Sequence, residues 1–587
     1  MLRELRDYAA TLDLPPSSYQ NLAVRYVIPL DSNGRLTGAR PIDTADPGSR
    51  QTERGVRMQM PHVLKGSNIV ARLLADTGDY ALGIPRDGTE RQRALAMERH
   101  RAFRDLVQRC AERTNAAEVV AVLAFLDADP LSQLDLPPDF DQSAIITFRV
   151  DGCFPTSLPA VQEFWAQEND PSRGLDGETT TMQCLVCGHT RPSLRLIPWK
   201  IKGIRGGQTS GTSIISANAA AFESYGLEQS FIAPTCRDCA EKFSHGLNAL
   251  LADQATHLYV GETTFAFWTR EKVDFSPYDF LANPDPQEVK ALLESARKGR
   301  PPNELDLARF YCAAFSPSGG RVAVRDWIDT TVGEIRDNLC TWFRGQAIVA
   351  PNGEMARPLG VFALSAATVR DVTKDLSPLT PRVLLHSALT GSPLPMGMLY
   401  QAVRRNRAEQ TVTTPRASLI KLVLATRQPH FKEDHMMQLD PQNRNPAYLC
   451  GRLLAVLEQI QDQAIPGAKA GIVDRFYGTA SSAPASVFGR LLRGAQPHLG
   501  KLQRDKRNTY RALQARLEEI LPGLAGFPRT LTLEDQGLFA LGYYHQRAYD
   551  RAQAIRARRE KEAGLGGPAT EEGLPPLTFE DENSEED

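Results

Sequence analysis

Cys184-Leu-Val-Cys187 and Cys236-Arg-Asp-Cys239 are the two short stretches on which the reading of this 587-residue chain turns. A Cys-x-x-Cys turn presents two thiolates to one ion, and two such turns complete a tetrahedral four-cysteine zinc site. The 48 residues between them exceed the spacing of the simplest zinc ribbon. The pattern therefore predicts a zinc-ribbon-like subdomain, about residues 178–250, with an insertion between its knuckles. Four thiolates close the coordination sphere, so zinc held by Cys184, Cys187, Cys236 and Cys239 is structural. A metal-free or redox pair of turns is the competing reading, and His189 and His245 stand nearby as alternative ligands or plain surface residues.

Outward from this point the two halves of the chain differ. Before it and shortly after it, strand-like runs (Ala23–Leu30, Ser143–Val150, Ser213–Ser216, Thr263–Thr269) alternate with helical stretches at Glu90–Glu112, Phe243–Ala255 and Gln287–Arg297. Beyond about Leu376 the strand signals fade. Arg382–Leu389, Met396–Arg407, Arg416–Thr426, Pro446–Gln463, Pro484–Arg493, Lys501–Leu521 and Glu534–Glu562 fit helices, with Pro or Gly near most junctions. The expected fold class is α+β: a mixed α/β region over 1–375 carrying the zinc-ribbon-like insertion, then an all-α C-terminal helical bundle over 376–563. Residues 564–587, rich in Gly, Pro and acid, are expected to be disordered.

Charge narrows the function classes. The net charge is −2, but the last 17 residues hold eight Asp and Glu and no Lys or Arg; without them the chain has 68 basic against 62 acidic residues, or +6. Thr179 to Phe222 contains no acid, and Arg490 to Arg516 has eight Lys and Arg against Asp505 alone. Such stretches suit phosphate tracking, although a charge run is more often a solvated face. No stretch approaches the roughly 18 uninterrupted apolar residues of a membrane span. No secretory leader is evident, and the nine cysteines do not form a secreted disulfide framework; a cytoplasmic location without a membrane partner is expected.

Between the knuckles runs Lys200-Ile-Lys202-Gly-Ile-Arg205-Gly-Gly-Gln208-Thr209-Ser210-Gly-Thr212-Ser213. Its glycines permit close backbone approach, and Lys, Arg, Gln, Thr and Ser supply donors. Gly206 and Gly211 have the spacing of a phosphate-binding loop, but Thr212 stands where that motif needs Lys, so nucleotide hydrolysis is excluded on this stretch. What remains is a basic polar loop suited to a nucleic-acid backbone or groove, or an ordinary surface turn. H-E-x-x-H, G-x-S-x-G, the deaminase H-x-E and a His-Asp metal dipeptide are all absent. Binding is favoured over catalysis.

The stretch Lys200–Arg205 with Gly207-Gln-Thr-Ser-Gly-Thr-Ser, then Asn218, Ala221-Phe-Glu-Ser-Tyr-Gly226 and Val260-Gly-Glu-Thr-Thr-Phe-Ala-Phe-Trp268, resembles the central signature of the large subunit of the type I-C CRISPR interference (Cascade) complex. Asn445-Pro-Ala-Tyr-Leu-Cys-Gly-Arg-Leu-Leu-Ala-Val-Leu-Glu458, Asp474-Arg-Phe-Tyr477, Ala483-Pro-Ala485 and Gly542-Tyr-Tyr-His-Gln546 resemble the same family in its helical half. The resemblance implies a non-catalytic subunit beside guide-RNA-bound backbone and cap subunits. It would recognise the protospacer-adjacent motif (PAM) in double-stranded target DNA, aid opening, hold the displaced strand and present the target to a recruited nuclease-helicase. By resemblance of type, Lys200, Lys202, Gln208, Thr209 and Ser210 are the candidate readers, with Arg205 and Thr212 of the same loop. Lys65, Ser67 and Asn68 with Arg72 form a second cluster, or a polar turn before a helix. The family also implies a small subunit made from the C-terminal region. An internal start would lie at Met436 or Met437, or at a non-AUG codon such as Val456 or Val473, and the face bearing Arg504, Lys506 and Arg507 would line the displaced strand. A zinc-ribbon nucleic-acid-processing enzyme and a purely structural scaffold remain the alternatives.

Overall fold

The computed structural model describes residues 1–16, 18–46, 53–63, 68–170, 180–271, 277–297, 307–427, 436–467 and 470–562. Two compact units emerge: Met1–Gly203 with Gly207–Ala249 and Ser318–Val322, and Ile204–Gly206 with Leu250–Pro317 and Ala323–Asp587. Lys65, Ser67 and the acidic tail lie outside the described residues.

The first unit is built on β1 (Tyr19–Leu30), a long run whose inward residues Tyr26, Ile28 and Leu30 are buried. It pairs antiparallel with β2 (Ile42–Asp43) and β3 (Val56–Pro61), and parallel with β5 (Ile145–Val150), which pairs antiparallel with β4 (Ala75–Thr77). A parallel pair needs a crossover, and the helices Glu90–Thr114 and Ala117–Asp127 supply it. The first begins where the Thr89 hydroxyl accepts from Gln92 N at 3.3 Å. Its Phe103, Leu106, Val107 and Cys110 join Phe125 and Phe148 in one core.

The second unit carries an antiparallel sheet of β8 (His257–Val260), β9 (Thr263–Thr269), β10 (Arg309–Ser318) and β11 (Arg321–Thr331), in the order β11-β10-β9-β8. Phe265, Phe267, Phe310, Cys312, Ala314 and Ile328 enter a core completed by the helices that follow. After β11 every described regular element is helical, so a mixed α/β region followed by a helical part is what the chain forms. The centre of the helical part is the crossing of Pro446–Ala464 with Leu533–Glu562. A Cβ on Gly451 would stand 2.0 Å from the Phe539 carbonyl oxygen, and one on Gly542 2.1 Å from that of Tyr448. Both helices need glycine there.

Around the crossing lies a buried polar network. Arg452, fully buried, donates to Gln546 Oε1 at 2.9 Å and Glu519 Oε1 at 2.6 Å, and Gln546 donates to Asp550 Oδ2 at 2.9 Å. His545, beside the Tyr448 hydroxyl at 3.1 Å, is pushed down to about 3, chiefly by burial and then by Lys421 and Arg452. Its ordinary value is 6.5, so the unfolded chain takes up the proton first. Stability from the neutral imidazole is fully present above that value and falls as the pH drops from it toward 3. Denaturant titrations at about pH 7.5 and pH 5 should show the wild type losing about 2 kcal/mol more than His545→Gln on acidification. The difference between the two chains isolates this residue, because burial raises Glu458 and Asp550, which act with the opposite sign. Equal acid losses in the two would refute the assignment.

Three sequence expectations need correction. Ser213–Ser216 is not a strand; Thr212 and Ser213 make only isolated bridges, to Ile201 and Arg321. Pro484–Arg493 opens with a single 3-10 turn, Pro484–Ser486, and the helix begins at Phe488. Lys501–Leu521 is two helices, Phe488–Asp505 and Arg507–Ile520, broken at Lys506 with φ −141° and ψ 65°.

Candidate nucleic-acid interface and metal centre

The first knuckle sits on a two-stranded ribbon, β6 (Thr181–Gln183) and β7 (Thr190–Pro192). Gly188, at φ +76°, lets the turn close, and its N–H reaches Cys184 O at 2.8 Å. The second knuckle is not on a ribbon; it opens the helix Arg237–Ala252, whose positive end favours thiolates. All four sulfurs lie within 4.8 Å of one another, and Cys187 Sγ is 3.9 Å from Cys236 Sγ. Metal–sulfur bonds of about 2.3 Å around one tetrahedral ion place sulfurs about 3.8 Å apart, so this donor set fits a metal ion. Cys184, Cys236 and Cys239 are buried. The Cys236 N–H points at Cys184 Sγ at 3.4 Å. Cys236 is pushed down to about 5, first by the hydrogen bond from Cys239. Arg6 supports the opposite sulfur, Cys239. His189 is exposed; neither it nor His245 belongs to the cluster, which is the one such group among the described residues.

The Lys200–Ser213 loop is closed at its neck by a reciprocal pair, Ile201 N to Thr212 O and Thr212 N to Ile201 O, both 2.8 Å. Gly211, at φ +97°, has no room for a Cβ, which would meet Lys200 Cβ at 2.7 Å. Thr212, expected among the contact residues, is instead 1% exposed with its hydroxyl donating to Ile201 O at 3.2 Å; it holds the neck and offers nothing to a ligand. Lys200 is exposed and donates to Ser213 Oγ at 2.5 Å. Lys202 is exposed, its backbone N–H fixed by Asn248 Oδ1 at 2.8 Å. Gln208, Thr209 and Ser210 are exposed, and among the described residues their side chains have no hydrogen-bond partner. Arg205, in the stretch counted with the second unit, has an exposed side chain and donates its backbone N–H to Thr264 Oγ1 at 3.3 Å.

The first unit brings together residues that the sequence keeps apart. Arg72, from the second candidate cluster, and Lys202, from the loop, both act on His62, as does His245. Burial first and then the charges of these neighbours push His62 down to about 4, and its Nδ1 is buried without a hydrogen-bond partner among the described residues. Asp76 accepts from the Arg72 backbone N–H at 2.8 Å and pairs with its guanidinium at 3.6 Å; Asn68 is exposed. Sequence reasoning missed His62, and no spacing links positions 62, 72, 202 and 245. It read Ala221–Gly226 as part of the family resemblance but assigned no contact role to this stretch. There the Arg321 guanidinium lies 3.6 Å from the Phe222 ring centroid, and Tyr225 is 99% exposed at φ +55°.

In the second unit Arg504, Lys506 and Arg507 are exposed around the helix break and have no ion pair among the described residues. Lys506 Nζ donates to Gln463 O at 3.2 Å. Of the same basic run, Arg516 turns inward to Asp550 at 3.3 Å. Among the described residues no helix is long and apolar enough to cross a membrane.

The family described as CRISPR-associated protein (Cas_Csd1) matches over residues 3–549. No curated protein shows a match to the chain.

Proposed function

We propose that this chain, which belongs to the CRISPR-associated Cas_Csd1 family, is the non-catalytic large subunit of a type I-C surveillance complex that recognises the PAM. The observation that supports the reading is that Arg72 and Lys202 are both close enough to act electrostatically on His62, in the unit that also presents the exposed Gln208 amide. A carboxamide can read a base edge bidentately, while neighbouring cations hold phosphates and fix the register. Tyr225 would add a face for stacking against an unpaired base. Zinc is the ion that four clustered thiolates, three of them buried, suit best; it would brace the frame from which the loop projects. The exposed Arg504, Lys506 and Arg507 would follow the displaced strand by charge alone. The partners of this reading are the guide-RNA-bound backbone and cap subunits, a small subunit started inside the C-terminal region, and a recruited nuclease-helicase, all in the cytoplasm.

The test is a salt-dependent DNA-binding assay on the assembled complex. Gln208→Ala should weaken binding to targets with the correct motif by about 1–3 kcal/mol and leave scrambled targets nearly unchanged. Replacing Arg504, Lys506 and Arg507 together by Ala should weaken all targets alike and flatten the salt dependence. Metal content and thermal stability must match wild type in both. Full discrimination by a folded, assembled Gln208→Ala complex would remove the loop as reader and leave Asn68 and Arg72 as the leading candidates.

A further inference from the structure

A cleft of about 290 Å³ in the second unit is lined by Arg325, Asp326, Arg382, His386, Ser387 and Ser392, with Val383 and Pro393. One wall is β11, an edge strand; the other is the helix Leu379–Thr390, through Arg382, Val383, His386 and Ser387. Arg382 and His386 are four residues apart and so share one helix face. His386 Nδ1 donates to Asp326 Oδ2 at 2.6 Å, and Asp326 also accepts from the Trp327 N–H at 2.9 Å. That bond fixes the ring; Nε2 carries a proton, and becomes a second donor, when the imidazole is protonated. Arg325 donates from Nε to Ser316 Oγ at 2.6 Å, and among the described residues its two terminal nitrogens have no hydrogen-bond partner. Arg382 makes no hydrogen bond and no ion pair among the described residues, although it lies close enough to influence both Asp326 and His386. Two guanidinium groups therefore face a carboxylate already engaged by histidine. With His386 protonated, the wall carries +3 against −1.

We propose that this cleft is a phosphate-binding subsite, in which Arg325, Arg382 and His386 Nε2–H receive the oxygens of one phosphate group. The cleft is smaller than a drug-sized pocket and suits a single tetrahedral anion with its waters. Forked guanidinium donors match phosphate geometry. His386 is raised by its hydrogen bond to Asp326, against burial and Arg382. Phosphate binding is accordingly strongest while His386 is protonated and weakens as the pH rises through its titration; Asp326, Arg325 and Arg382 are the charged groups that face it. The inference does not depend on membership of the proposed complex.

The experiment is NMR of the full chain carrying histidine labelled at Cε1, with His386 assigned by His386→Gln. Inorganic phosphate and a short oligothymidylate without terminal phosphate are titrated separately at constant ionic strength. A filled site should raise the His386 titration by about one unit, equivalent to about tenfold tighter binding to the protonated form. The rise should vanish in Arg382→Gln and shrink in Arg325→Gln, both melting with wild type; if one variant misfolds, the other decides. A response to inorganic phosphate alone assigns the cleft to free phosphate, and a response to both probes to nucleic-acid phosphate. No movement with either probe, or the same movement in the arginine variants, overturns the proposal.

Discussion

Cys184→Ser or Cys239→Ser is expected to release the metal and lower the unfolding midpoint of the first unit by roughly 10–20 °C. The cause is the small amount of apolar material around the knuckles. β6 and β7 are three residues each and largely exposed, so the sulfurs must supply what a core would. Structural zinc in isolated fingers contributes an apparent ~10–16 kcal/mol; even a third of that yields a shift of this size. The effect should spread beyond the knuckles, because Arg3 donates to Val186 O at 3.4 Å and Arg6 reaches Cys239. Elemental analysis and thermal melting check it together. Less than about a tenth of an equivalent of zinc in unchelated wild-type protein would defeat the zinc assignment, as would a Cys184→Ser chain that keeps its metal.

Gly451→Ala and Gly542→Ala should each cost about 3 kcal/mol or more, and the double change should prevent the helical part from folding. The obstructing atoms are backbone carbonyl oxygens of the facing helix, which no rotamer change can move aside. Separating the helices would also expose the Arg452 network, whose members are costly to bury unpaired. Gly500→Ala is the control. It lies inside the helix Phe488–Asp505 with nothing within 4 Å of the added carbon, and should stabilise by up to ~1 kcal/mol. If Gly451→Ala melted with Gly500→Ala, the close crossing would be wrong.

What the sequence made legible depended on whether its signal was local. The run Thr263–Thr269 is β9 to the residue, because β-branched and aromatic residues bounded by polar ones leave few alternatives. The cysteine turns were legible for the same reason: four ligands in two fixed spacings. Arg309–Ser318, with its run Phe310–Phe315, escaped notice because burial on both faces removes the alternation that marks a strand. The break at Lys506 carries no Gly or Pro to announce it. Thr212 looked like one more loop donor; only the pairing across the neck reveals it as buried. The influence of Lys202 and His245 on His62 spans more than a hundred residues of sequence, which a periodicity cannot encode.

The helix Leu2–Ala9 rests on Val186, Cys239 and Gly246, where an added Cβ would stand 2.6 Å from Leu5 O. Its seat is thus made of residues synthesised long after it. At about 5–20 residues per second, some 230 residues take roughly 10–50 s to emerge. Through that interval the faces of Leu5 and Ala9, both buried in the finished protein, have nowhere to go. Docking of the first helix is therefore expected to wait until the four-sulfur site can close. A ribosome-bound chain stopped short of Cys239 should keep residues 2–9 open to protease, and one extended past the helix Arg237–Ala252 should protect them.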